Sequence, residues 1–132
     1  MHSPHCKARG FSMIEMLVGV LIITFGLLGL ITLQGRALQA AVGTEDSQRA
    51  TLLAAEMAAT MFDQNNVNVN AATVEAWAAR AADPASGGVP NGVGTVTVNG
   101  NTARITVSWR PVQSTGAAND TNRYSTDVVI PQ

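Results

Sequence analysis

The 132-residue chain has one cysteine, Cys6, and beyond Gly10 it contains no cysteine, histidine or lysine at all. A single cysteine excludes an intramolecular disulfide, so stability has to come from packing and association. A body without imidazole, thiol or amine lacks the usual bases, soft metal ligands and amine nucleophiles. Its carboxylates Glu56, Asp63, Glu75, Asp83, Asp120 and Asp127 are scattered, with no pair at catalytic or metal-ligand spacing, and no glycine-rich phosphate loop follows a strand. No enzymatic activity, metal, cofactor or small-molecule substrate is expected. Aromatic residues make up 5% of the chain, which leaves Phe62, Trp77, Trp109 and Tyr124 as the large rings for a modest core. Proline is absent between Pro4 and Pro84, so nothing of that kind interrupts the first half.

Charge is scarce where apolar residues run longest. Between Gly10 and Arg36 the only charged side chain is Glu15, and Phe11 to Leu33 is otherwise long and apolar. As a helix these residues span roughly 35 Å, enough for a hydrocarbon core of about 30 Å. Helix is the state available to a lone segment in lipid, because its backbone must bond internally. An ionised carboxylate at mid-bilayer costs about 2.5 to 3.5 kcal/mol, less near an end, so Glu15 needs a partner that the span does not offer. The net charge of −1 conceals an asymmetry: Lys7 and Arg9 precede the apolar run, while six Arg face nine Asp and Glu beyond Gly10. Basic end, apolar span and acidic body place the N-terminus in the cytoplasm and the C-terminal body across the inner membrane. The short polar segment Met1 to Gly10 has no apolar region of its own, so this is not an ordinary secretory signal; a cut at Gly10 leaves the apolar run on the mature chain.

The string Gly10-Phe11-Ser12-Met13-Ile14-Glu15, continued by Met16-Leu17-Val18-Gly19-Val20-Leu21, resembles the N-terminal signature of type IV pilins and pseudopilins. Phe25-Gly26-Leu27-Leu28-Gly29-Leu30 and Leu33-Gln34 resemble the PilV-type minor pilins in particular. The resemblance implies a leader, residues 1–10, with basic residues Lys7 and Arg9, removed by a prepilin peptidase that cuts between Gly10 and Phe11 and N-methylates Phe11. It implies that Glu15 pairs with the N-terminal ammonium of a neighbouring subunit. Two charges that are costly alone then offset each other on assembly, and a subunit out of register buries both unpaired. Within such a leader, His2, His5 and Cys6 make a poor metal site. The family carries a helical spine with a β-sheet head; it implies other minor pilins and the major pilin as partners, and a final location in the pilus at the cell surface. Two departures from major pilins stand out: Thr32 where they often carry a proline, and no cysteine pair to close the C-terminal region.

The remaining sequence predicts an α+β head. Ala50, Leu53, Ala54, Met57, Ala58 and Met61 recur at helical spacing, extending one long helix from about Phe11 to Phe62, with a membrane or filament-core part at 11–35 and an amphipathic second half. Gly43-Thr44 is the expected place for a bend. Gly19, Gly26 and Gly29 predict close helix packing without a GxxxG motif. The head, residues 36–132, adds a loop over 63–70 and a short helix over 73–82 around Trp77, read as a packing anchor, with Pro84 marking its end. Alternation predicts strands near 93–98, 103–109 and 124–130, the first two joined at Asn99-Gly100-Asn101, in an antiparallel sheet laid on the helix. Arg104, Arg110 and Arg123 form a solvated face in an acidic body, so no nucleic acid is expected. The expected function is structural: a minor pilin in assembly or initiation of a type IV pilus. A minor pseudopilin of a type II secretion system, and an unprocessed single-span anchored binding domain with Glu15 snorkelling, are the competing readings.

Overall fold

The computed structural model describes residues 10–131 and has the predicted α+β architecture. Helix α1 runs Met13–Asp63, helix α2 Ala71–Ala81, and strands β1 Val93–Asn99, β2 Thr102–Trp109 and β3 Asn122–Val129 form one antiparallel sheet in the order β1-β2-β3. The chain divides into two compact units, one ending at Ala40 and the other running Ala41–Gln132, and α1 contributes residues to both.

In the N-terminal unit α1 is apolar and exposed on every side, from Met13 through Leu38, and it is the one helix among the described residues long and apolar enough to cross a membrane. The helix does not break at Gly43-Thr44: it is continuous through both residues. Glycine costs a helix interior about 1 kcal/mol relative to alanine, which lowers stability without breaking the hydrogen-bond ladder.

In the C-terminal unit the predicted stripe is the buried face. Ala50, Leu53, Ala54, Met57 and Met61 pack with Val67, Trp77, Ala81 and Val89, and with Ala103, Ile105, Val107 and Trp109 of β2. Trp77 serves as an anchor twice over: its indole N–H donates to the Leu53 carbonyl at 2.9 Å, and its ring occupies the space above Gly94. A Cβ at Gly94 would lie 2.6 Å from that ring, so only glycine lets β1 approach α2 this closely.

Element ends differ from the sequence pattern by a few residues. Helix α2 starts at Ala71, two residues early, because Asn70 caps it: its side-chain oxygen accepts from the Ala72 N–H at 2.9 Å. The helix stops at Ala81, and Pro84 opens a separate 3₁₀ turn capped by Asp83. Strand β3 is shifted to Asn122–Val129 because it pairs with the whole of β2, from Trp109↔Asn122 to Thr102↔Val129. The β1–β2 turn closes on the Asn99↔Thr102 pair with two central residues, Gly100 having φ +62° and Asn101 no positive φ, the pattern of a type II′ hairpin.

Candidate functional site

The N-terminal motif sits at the start of α1. Residues 10–12 are irregular, and Ser12 starts α1: its carbonyl accepts from the Glu15 and Met16 amides at 3.0 and 3.3 Å, and its hydroxyl accepts from the Glu15 amide at 3.3 Å. Ser12 thus behaves as an N-cap, and Glu15 occupies the first turn, where the helix dipole favours an anion. Gly10, Phe11 and Glu15 fall within six residues and are all exposed, Phe11 at 82%. Among the described residues nothing bonds the Glu15 carboxylate. Lys7 and Arg9, with His2, His5 and Cys6, lie outside the described residues.

Within the apolar run 11–33, the other polar side chains bond inside the helix or cap it. Thr24 and Thr32 donate their hydroxyls back to the carbonyls of Val20 and Leu28 at 2.8 and 3.0 Å, so neither needs a partner in an apolar surrounding. A Cβ at Gly19, Gly26, Gly29 or Gly35 would meet nothing within 4 Å, so their flat surfaces contact nothing in the chain itself. Glu15 is left as the one side chain of the span whose chemistry asks for an external group.

The C-terminal unit contains a second unusual carboxylate that the sequence pattern missed. Asp46 lies one turn before Ala50 on the buried stripe, is 6% exposed, and its Oδ2 has no hydrogen-bond partner. Burial pushes its carboxyl above the ordinary 3.8; the neighbouring Arg49 pulls the other way and Glu45 adds to the rise. Arg49 is engaged elsewhere, with Glu45 Oε1 at 2.7 Å and with the carbonyls of Pro84 and Gly88 at 3.3 Å each. The signal was present in the sequence: stepping back four residues from Ala50 along the stripe lands on Asp46. The indole N–H of Trp109, 4% exposed, likewise has no protein partner.

Of the three arginines placed on the sheet face, Arg104 forms a bidentate pair with Asp127 at 2.7 and 2.8 Å, which holds the Asp127 carboxyl below 3.8. Arg110 and Arg123 remain exposed. No group of three or more His, Cys, Asp or Glu suited to a metal ion occurs among the described residues.

Against known families, residues 6–31 match the model of the prokaryotic N-terminal methylation motif. No curated protein and no solved structure matches the chain. The motif spans the segment in which Gly10, Phe11, Ser12 and Glu15 were singled out, and it supports a type IV pilin-like or pseudopilin prepilin, a structural rather than catalytic class handled by a prepilin peptidase. The motif and the apolar helix together support single-pass membrane anchoring through the N-terminal unit.

Proposed function

We propose that this chain is a minor pilin of PilV type, made as an inner-membrane prepilin with a cytoplasmic N-terminus and a periplasmic C-terminal unit, and incorporated into a type IV pilus or its initiating complex. Prepilin peptidase cuts between Gly10 and Phe11, and Phe11 becomes the N-methylated first residue. Cleavage there creates an ammonium on Phe11, two residues before α1 begins at Met13 and four before Glu15. In the assembled filament Glu15 pairs with the ammonium of a neighbouring subunit, and the exposed apolar surface of α1 is covered by other helices in place of lipid.

The observation that carries this reading is a lone exposed carboxylate in the first turn of a helix with no other charge before Arg36. An unpaired carboxylate in hydrocarbon is retained where it has a task, and an apolar span gives it one only through another chain. Mass spectrometry of the membrane-extracted protein tests the processing step: the mature chain should begin at N-methylated Phe11, and a chain retaining Met1 or Cys6 would remove the reading. Deletion that abolishes surface pili while leaving exoprotein secretion intact assigns the chain to the pilus; the reverse outcome assigns it to type II secretion.

A further inference from the structure

Among the described residues two buried side-chain polar atoms lack a hydrogen-bond partner, and they are complementary: Asp46 Oδ2 is an acceptor and Trp109 Nε1 a donor. Asp46 is 6% exposed and Trp109 4%. A buried polar atom left without a partner costs about 1 to 3 kcal/mol, and a charged one more. One shared contact would relieve both.

The two side chains lie at the same end of the core. Arg49, three residues after Asp46, reaches the carbonyls of Pro84 and Gly88 at 3.3 Å each, and Arg110, next to Trp109, donates its amide to the Pro90 carbonyl at 3.1 Å. Residues 84–90 thus strap this part of α1 to the end of β2. A second measure agrees. Trp77 fixes one level of the core, because its indole bonds the Leu53 carbonyl and its ring covers Gly94, the register partner of Val107. From Leu53 back to Asp46 the helix rises roughly 10 Å, and from Val107 on to Trp109 the strand rises roughly 7 Å. The two levels therefore differ by roughly 4 Å, within the roughly 5 to 6 Å that two hydrogen bonds in series can span.

Neighbouring charges do not serve Asp46 Oδ2. Glu45 pairs with Arg49 at 2.7 Å, Asp83 accepts from the Ala85 amide and the Ser86 hydroxyl, and Asp120 accepts from the Thr115 hydroxyl and the Ala117 amide. Arg110 and Arg123 are exposed. Position gives the carboxyl its importance: Asp46 is the first buried residue of α1, and the next is Ala50, one turn further on.

We propose that Asp46 and Trp109 hold one buried water between them, the indole N–H donating to it and the water donating to Oδ2, and that this site clasps the first docked turn of α1 to β2 and opens when Asp46 ionises. Water is the ligand that a single donor facing a single acceptor accommodates in a small polar gap. Burial already pushes the Asp46 carboxyl above 3.8, with Arg49 opposing and Glu45 adding to the rise, because the site replaces only part of the hydration an ionised carboxylate has in solvent. The closed form is therefore favoured below the folded-state titration of Asp46 and weakened above it. Opening moves the start of docking from Asp46 to Ala50 and adds one turn to the exposed length of α1. The inference concerns the C-terminal unit alone and holds whichever assembly the chain serves.

Nuclear magnetic resonance of the full chain in detergent micelles, with labelled indole nitrogens, tests it. At acidic pH the Trp109 indole N–H should show a through-space contact to a bound water. Its resonance should move as pH is raised past neutrality, while that of Trp77, bonded to the Leu53 carbonyl, stays in place. Asp46→Asn should abolish the movement and Glu45→Gln should leave it. The Asp46 carboxyl carbon, followed directly, should titrate at higher pH in Trp109→Phe, because the ionised form loses its donor. Absence of bound water at the indole, a Trp109 resonance that does not move, one that moves as much in Asp46→Asn, or an Asp46 titration indifferent to Trp109→Phe overturns the proposal. Should Trp109→Phe fail to fold, the water contact and the Asp46→Asn comparison decide the matter without it.

Discussion

The same residue types do opposite things in the two units. In the N-terminal unit leucine, isoleucine and valine are exposed along the whole helix, and glycines face open space. In the C-terminal unit Leu53, Ile105, Val89 and Val107 are buried, and a Cβ at Gly88, Gly92 or Gly94 would lie within 2.1 to 2.6 Å of another atom. The first pattern belongs to a surface completed by something outside the chain. The second belongs to a fold that completes itself with one small core, without disulfides. The carboxylates divide the same way: Glu15 is exposed with no bonded partner among the described residues, whereas Asp46 is buried with one carboxylate oxygen unpartnered.

The largest expected break in this contrast is Trp77→Ala. It should destabilise the C-terminal unit by about 3 to 5 kcal/mol through lost packing, with the Leu53 carbonyl left without its indole donor as well. Unfolding of the full chain in detergent micelles, followed by the near-ultraviolet signal of Trp109, measures it; a loss below about 1 kcal/mol would mean that Trp77 is not the anchor of the core. Next comes Gly94→Ala, expected to cost about 1 to 3 kcal/mol because the new methyl meets the Trp77 ring. Its counterpart Gly29→Ala should leave the same unfolding transition unchanged. Equal effects from the two would erase the distinction between the units.

A smaller effect, of opposite sign, is expected at Asp46. Its folded-state pKa is raised, so the folded form binds the proton more readily than the unfolded chain, and the associated stability is present at low pH and lost as pH rises through the folded pKa. Asp83, Asp120 and Asp127 are lowered by their hydrogen bonds, and their contribution is lost only as pH falls below 3.8. The melting temperature should therefore rise slightly from pH 7 down to just above 4 and fall below that. Asp46→Asn should raise the neutral-pH value by a few degrees and abolish the rise. A variant that melts lower than wild type at pH 7 would show that the Asp46 carboxylate is stabilising. The smallest effect is reserved for Arg104→Gln: the pair with Asp127 is exposed and screened, and at high salt the melting temperature should match wild type.

Much of this architecture is legible in the sequence because it rests on local periodicity. The 3.6-residue recurrence from Ala50 to Met61 and the alternation on either side of Gly100 each reflect a face that must be buried. What escaped was decided by other parts of the chain. Asn70 starts α2 early with a side-chain cap, Trp109 draws Asn122 into β3, and Asp46 is buried although its own chemistry argues for solvent. The groove beside β1 joins residues 67–75 to Val96 and Val98, which lie more than 20 residues further on, so no local pattern announces it. At the N-terminus the opposite holds: the motif residues Gly10, Phe11 and Glu15 lie together in sequence.

Under the proposed function, Glu15 is completed by another subunit. Glu15→Lys in the full-length chain, with the mature N-terminus read by mass spectrometry and the protein content of sheared filaments read by immunoblot, tests it most directly. The variant should be cut normally at Gly10 and absent from filaments; a normally cut Glu15→Lys chain recovered in filaments at the wild-type level would show that Glu15 needs no partner subunit.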